Sequence, residues 1–380
     1  MKNFDFIIAG GGCAGLSLAY YLSQSKFANA SVLIIDRDEK VKNDRTWCFW
    51  ADKPTAYESI VTKKWENLAF ADFKGKLQSR LEQRYYQLIR SADFYDFTKC
   101  AIQKHSGYQW LHGEISEIGE DKQGAYAKVA GERYRGKWIF DSRYQWQEQQ
   151  ANAGKHHFLL QHFMGWIVET RQPAFDPASL TLMDFRVEQH DSARFIYVLP
   201  FSETRALVEY TVFSAQLESK EVYEQALKDY FEKEGIDPYR ILETEYGVIP
   251  MTNMPLKRAA GTHIIQIGTA GGAVKPTTGY AFLNIQRQTE AIVRQLERGE
   301  TPSLATSRKL RFKFYDQLLL NMLQNEGGSV RQVFSALFRR NEISHILNFL
   351  DEQTNIWQEL RILARLPWPP FLRAMVREYL

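Results

Sequence analysis

The chain has 380 residues, a mass of 44.3 kDa and a formal net charge of +3. Its 24% charged and 44% hydrophobic residues exclude a disordered, collagen-like or disulfide-scaffold protein, and the small net charge excludes nucleic-acid binding driven by bulk charge. The positive excess lies at the end, where residues 301–380 carry 11 basic and 7 acidic side chains.

Asp5-Phe6-Ile7-Ile8-Ala9 is an apolar run of strand length. Gly10-x-Gly12-x-x-Gly15 follows, then the helix-forming Leu16–Leu22, then a second strand, Ser31–Asp36. This is a complete βαβ unit. Gly10 permits the tight turn, Gly12 lets the backbone approach a pyrophosphate, and Gly15 lets helix and strand pack closely. Asp36 ends the second strand, 21 residues past Gly15, where a carboxylate accepts bonds from ribose hydroxyls. Lys76–Ile89 has apolar residues near helical spacing and predicts a helix. Short strands alternating with Gly are expected over 105–145, the clearest being Lys137–Asp141. Four closely spaced strand patterns between 158 and 213 predict an antiparallel sheet, followed by an amphipathic helix over Val222–Glu234. Thr262–Ile267 reads as a strand that runs into the Gly-rich Gly268–Gly279 and a helix over Phe282–Glu297. The chain then reads as helical to its end.

Two strand–Gly loop–helix elements far apart in sequence point to FAD rather than NAD, because the long flavin needs a second backbone platform. The expected fold is α/β: an FAD-binding Rossmann-like, glutathione-reductase-type lobe, an inserted antiparallel-sheet substrate lobe and a helical C-terminal region. The expected divisions are 1–155 and 246–300 for the FAD lobe, 156–245 for the substrate lobe and 301–380 for the helices. The odd count of three cysteines, without zinc spacing, fits free thiols in a reducing compartment. No basic-then-apolar leader precedes Phe4 and no run reaches span length, so a cytoplasmic protein without a cleaved signal is expected.

Asp44-Arg45-Thr46-Trp47-Cys48-Phe49-Trp50, with the Gly-rich start, resembles the lycopene cyclase family, most closely its bacterial β-cyclases. The likeness continues in order through Tyr85–Arg90, Phe140–Arg143, Gln161–Trp166, Met183-Asp184, Leu207–Glu209 and Gly247–Met251. It ends with Gly268–Gly279, Asp351-Glu352 and Leu366–Leu372. The resemblance implies a flavoprotein that uses reduced FAD with NADPH as reductant. It implies cyclisation of the ends of lycopene to β-rings, through γ-carotene to β-carotene, with no net redox change. An acid protonates a terminal double bond, the neighbouring alkene closes the ring, and a base removes a ring proton. The alternative is an FAD-dependent monooxygenase or desaturase acting on a lipid or isoprenoid, although Gly268-Thr269 stands where many such hydroxylases carry Gly-Asp. A third reading is a non-catalytic carotenoid carrier.

Glu209 shares a strand face with Leu207, Thr211 and Phe213, and the family places its essential glutamate at this motif. Asp184 follows Leu180 and Leu182 at even spacing and is the reserve for the second acid–base role. Cofactor binding is expected at Gly10, Gly12, Gly15, Asp36, Arg45, Gly268, Gly271, Gly272, Pro276, Thr278 and Gly279. Asp141 and Arg143 either touch the cofactor or pair with each other, and His162 reads as structural. No metal-ligand spacing is present. Arg361, Arg365, Arg373 and Arg377, among Trp368 and Phe371, predict peripheral contact with the inner face of the cell membrane, favoured by anionic lipid.

Overall fold

The computed structural model describes residues 2–255, 261–304 and 308–380; residues 305–307 of the expected helical stretch lie outside them. Strand Lys2–Ala9 pairs in parallel with Val32–Asp36 on one side and Glu132–Asp141 on the other. Tyr108–His112 extends this sheet beyond Val32–Asp36, and Ile264–Gln266 joins Glu132–Asp141, both in parallel. These strands are apolar on both faces because helices cover one side and the hairpin strands around Ala125 and Ala127 help to fill the other. Helix Cys13–Ser23 starts directly after Gly12 and packs against helix Phe282–Glu297. The third glycine of the motif is obligatory, since a Cβ on Gly15 would sit 1.9 Å from the Gly10 carbonyl oxygen.

The second sheet holds Tyr239–Thr252, Phe158–Thr170, Arg205–Ser214, Ala193–Pro200, Ser179–Asp184, Asn67–Asp72 and Gly75–Arg80, in that order. Its faces divide by the two-residue period. Ala206, Val208, Tyr210 and Val212 pack under helix Lys220–Lys233, while Leu207 and Phe213 face the C-terminal helices. Those helices are Leu310–Glu326, Arg331–Arg340, Ile343–Leu350, Ile356–Leu363 and Trp368–Tyr379. They dock through stacked rings such as Phe70 on Phe338, with centroids 4.7 Å apart, and through the Asp72–Arg339 ion pair.

Two expectations change. Lys76–Ile89 is not a helix but parts of two strands, Gly75–Arg80 and Tyr85–Arg90, the latter pairing with Thr46–Ala51 and Lys63–Trp65 in a small third sheet. Glu82 lies between them at φ +44°, a left-handed conformation that no helix continues through. Residues 67–80 also cross the expected division: Asn67–Asp72 pairs in parallel with Ser179–Asp184, so the second sheet draws two strands from the N-terminal part of the chain. Strand Tyr239–Thr252 likewise runs through the expected boundary at 245.

Candidate active site

A cavity of about 830 Å³ runs from the Gly10–Gly12 loop, between the two large sheets, to the face of the second sheet that carries Glu209. Its two ends differ in chemistry. Gly10, Gly12, Asp36 and Arg45 line the first end, and Leu182, Met183, Phe195, Phe213, Phe334 and Phe338 line the second.

At the first end, helix Cys13–Ser23 has Gly12 as its N-cap and no side chain capping it, so its first N–H groups remain open. A Cβ on Gly12 would meet no protein atom within 4 Å, because the residue looks into the cavity. Asp36 accepts a 2.6 Å hydrogen bond from the Gly11 N–H, fixing its carboxylate beside the loop. Arg45 sits exposed at the rim, donating to the Asp44 carbonyl. Burial pushes the Cys13 thiol well above its usual range, so it is an inert small residue of the loop.

The second Gly-rich segment divides. Gly268, Thr278 and Gly279 line the cavity; Gly271, Gly272 and Pro276 do not. Gly271 instead packs against backbone, since a Cβ there would lie 2.4 Å from the Gln266 carbonyl oxygen, and Gly272 is an exposed turn residue at φ +77°. Neighbouring residues clamp the loop to the C-terminal helices. Thr277 donates to Asp316 at 2.7 Å and Lys275 pairs with Glu352 at 2.9 Å, with Arg308 between the two acids. Asp351 accepts a 2.7 Å bond from the Trp50 indole N–H. The Asp351-Glu352 signature is thus a tether between the C-terminal helices, the Gly-rich loop and the aromatic strand.

Glu209 lies where its period-two face predicts. It is 7% exposed, lines the cavity, and among the described residues receives no hydrogen bond and has no ion pair. Burial pushes its carboxyl well above the usual range, and the nearby Glu245 adds to that shift. Glu245 is the residue that sequence reasoning missed. Gly165 pairs with Glu209 on one side and with Glu245 on the other, so the three positions form one row on the cavity face. A Cβ on Gly165 would lie 2.5 Å from the Glu209 Cγ, so glycine keeps this row open. Glu245 accepts two bonds from Thr46, from its N–H at 2.9 Å and its hydroxyl at 2.6 Å. Beside the pair, the hydroxyl of Tyr86 bonds those of Tyr197 at 2.5 Å and Tyr280 at 2.6 Å, and burial pushes all three phenols up.

Asp184 is a correction. It does not line the cavity but points to the opposite face, where Arg186 holds it at 2.6 Å and the Tyr230 hydroxyl donates to it. The pairing of Ser179–Asp184 with both neighbours shifts register between Thr181 and Asp184. This bulge reverses the alternation on which the even spacing rested. Asp184→Asn is therefore expected to lower stability by about 2 kcal/mol, through the weakened buried ion pair, while the folded protein keeps its active-site chemistry. Thermal unfolding beside a product assay checks both halves.

Asp141 and Arg143 pair with each other at 2.9 Å, and Arg143 reaches the cavity wall. His162 is fully buried, bonded to Ser214 at 2.8 Å and to the Tyr223 hydroxyl at 2.6 Å. Burial holds its pKa down at about 4, against 6.5 for a free side chain. The unfolded chain therefore takes up this proton first as pH falls. Stability drains away between pH 6.5 and 4, by up to about 3 kcal/mol, and the effect is absent above pH 7. His162→Gln is expected to flatten that part of the unfolding-temperature profile.

Among the described residues no group of three or more His, Cys, Asp or Glu side chains is placed to hold a metal ion, and no helix is long and apolar enough to cross a membrane.

The profile of the lycopene cyclase protein family matches residues 5–376. The chain belongs to the lycopene cyclase family. It is 25% identical to the lycopene beta-cyclase of a Paracoccus species over 383 residues, covering 96% of this chain and 94% of that one. It is also 25% identical to the lycopene beta-cyclase of Pseudescherichia vulneris over 319 residues, covering 80% and 77%. Among solved structures, a flavoprotein/dehydrogenase from Cytophaga hutchinsonii aligns with TM-score 0.65 at 10% identity over 99% of both chains. A geranylgeranyl bacteriochlorophyll reductase-like protein from Thermoplasma acidophilum aligns with TM-score 0.61 at 14% identity, over 100% of this chain and 97% of that one. The expected fold class, a flavoprotein-type α/β lobe with a β-sheet lobe and C-terminal helices, is the one found.

Proposed function

We propose that this family member is a lycopene β-cyclase, closing the acyclic ends of lycopene first to γ-carotene and then to β-carotene. The observation that supports it is Glu209: a buried carboxyl without a hydrogen-bond donor among the described residues, in an apolar and aromatic cavity that opens onto a dinucleotide-type Gly loop. Protonating an unactivated alkene needs an acid held against it, and desolvation shifts this carboxyl toward its protonated form. The carboxylate left behind, with the aromatic walls, stabilises the cation. A monooxygenase or desaturase would leave Glu209 without a task.

The cavity's first end fits FAD. The open Gly12 cradle and the uncapped helix start would take the pyrophosphate, and Asp36 the ribose. The Thr278 hydroxyl, the Gln161 side-chain amide oxygen and the Tyr144 hydroxyl are buried without partners among the described residues and belong to residues that line the cavity, as donors and acceptors awaiting a polar ligand do. When bound and reduced, with NADPH as reductant, the flavin would supply electron density near the cation. The protein's own residues hold and move the proton.

Lycopene resides in the bilayer, so the enzyme docks there. Trp368, Leu372, Met375, Val376 and Tyr379 form an exposed stripe on one helix, and Ile356, Trp357 and Leu360 are exposed on the preceding one; Trp357 is 71% exposed. Arg373 and Arg377 are engaged with Glu326, and Arg365 bonds the Arg340 carbonyl oxygen. The apolar stripe therefore supplies most of the attraction, with Arg361 at its edge on the inner, cytoplasmic leaflet. The test is expression in lycopene-accumulating cells with pigment chromatography and flavin analysis of the purified protein. β-Carotene together with bound flavin is the expected result; unchanged lycopene from flavin-loaded protein overturns the reading.

A further inference from the structure

We propose that Glu245 is a second catalytic carboxyl, the base that removes the ring proton, set beside the acid Glu209 by the bare backbone of Gly165. The inference rests on the cyclase reading above. Neighbouring strands lie about 4.8 Å apart, so the two glutamates flank a single glycine and lean into one volume of the cavity, both lining it. Any side chain at position 165 would stand between them.

The surroundings of the two carboxyls differ in the sense that divides acid from base. Two donors from Thr46 aim at Glu245, and a carboxylate is what two donors stabilise. Nothing donates to Glu209 among the described residues. Burial raises both groups, and the Thr46 bonds pull Glu245 back. A charge on Glu245 disfavours ionisation of Glu209, and the Thr46 donors favour the carboxylate on Glu245, so the arrangement sets Glu209 as the proton carrier and Glu245 as the acceptor. The other titratable groups facing the pair are Asp44 and Arg45 beside Thr46, then Cys48 and the Tyr86, Tyr197 and Tyr280 phenols. Burial keeps the thiol and phenols neutral.

The steps balance. The Glu209 O–H bond breaks and a C–H bond forms at the terminal alkene. The neighbouring alkene's electron pair closes the ring and leaves a ring cation. Glu245 takes a proton from the adjacent ring carbon, and that C–H pair becomes the ring double bond. The proton then passes from Glu245 to Glu209, which restores the enzyme with no net gain or loss. Separate acid and base let one site fix which ring proton leaves, and so the ring type.

Three variants test this in lycopene-accumulating cells and with flavin-loaded protein on lycopene vesicles. Glu245→Gln is expected to lower β-ring formation roughly 100-fold, to retain flavin, and to shift residual product toward rings with a displaced double bond. Glu245→Asp recovers part of the β-ring yield. Thr46→Val removes one donor, raises the Glu245 pKa, and moves the acidic limb of the pH–rate profile to higher pH. Wild-type yield and ring type from Glu245→Gln, with Glu209→Gln inactive, overturns the Glu245 role and leaves the cyclase reading standing. Normal cyclisation by both glutamine variants overturns both catalytic roles, whereas unchanged lycopene from flavin-loaded wild-type protein overturns the cyclase reading. If Glu245→Gln does not fold, Thr46→Val decides, and an unmoved acidic limb overturns the proposal.

Discussion

Glu209→Gln is expected to leave lycopene uncyclised while the protein folds and binds flavin as before. The amide matches the carboxyl in shape, so the packing around Leu207 and Phe213 is undisturbed. It cannot donate a comparable proton, and loss of a positioned general acid costs roughly 10²–10⁴-fold in rate. Water does not substitute, because a 7%-exposed position in an apolar cavity gives a bulk proton no route to the alkene. Stability is not expected to fall. Among the described residues Glu209 takes part in no ion pair, and replacing a carboxyl whose ionised form burial disfavours by a neutral amide introduces no buried charge. Pigment chromatography, flavin absorbance and thermal unfolding on one preparation separate these statements. β-Carotene at more than a few per cent of the wild-type yield would remove Glu209 from the acid role.

How much of this was legible depends on the range of the pairing involved. The βαβ start and the Phe282–Glu297 helix are local, and their glycines and apolar runs announce them. The Gly75–Arg80 and Tyr85–Arg90 strands were hidden because Leu77, Leu81 and Leu88 fit helical spacing, and only the Glu82 backbone breaks it. The partnership of Asn67–Asp72 with Ser179–Asp184 joins segments about a hundred residues apart, which no local pattern encodes. Glu209 was legible because its strand alternates without interruption. Asp184 was misplaced because its strand does not, and a bulge is invisible to a two-residue count. Glu245 escaped because Tyr239–Thr252 carries several polar residues, and Glu243 alternates with it just as well. Register separates them: Glu243 pairs with Arg90, whereas Glu245 meets Gly165. The available signal was Gly165 itself, a glycine inside an otherwise bulky strand that marks close approach.

Gly12→Val is expected to abolish flavin binding without unfolding the chain, and the contrast with Gly15 shows why. Gly12 has ordinary extended dihedrals, φ −81° and ψ −165°, and an added Cβ meets no protein atom within 4 Å. The folded protein therefore accommodates valine, at the modest cost of a β-branched residue at a helix N-cap, on the order of 1 kcal/mol. The empty space its methyl groups enter is the cavity at the open end of helix Cys13–Ser23, where the proposed flavin's pyrophosphate would come within hydrogen-bonding distance of backbone N–H groups. Two methyl groups there hold phosphate oxygens off, and the affinity carried by those bonds is lost. Gly15→Ala fails differently: its Cβ would overlap the Gly10 carbonyl at 1.9 Å, so helix and strand no longer pack and the protein does not accumulate. The two variants divide binding from folding within one motif. Gly12→Val is expected as a soluble apoprotein with cooperative unfolding and no flavin absorbance, and lycopene-accumulating cells expressing it stay red. A Gly12→Val protein carrying a full complement of flavin would place the pyrophosphate elsewhere.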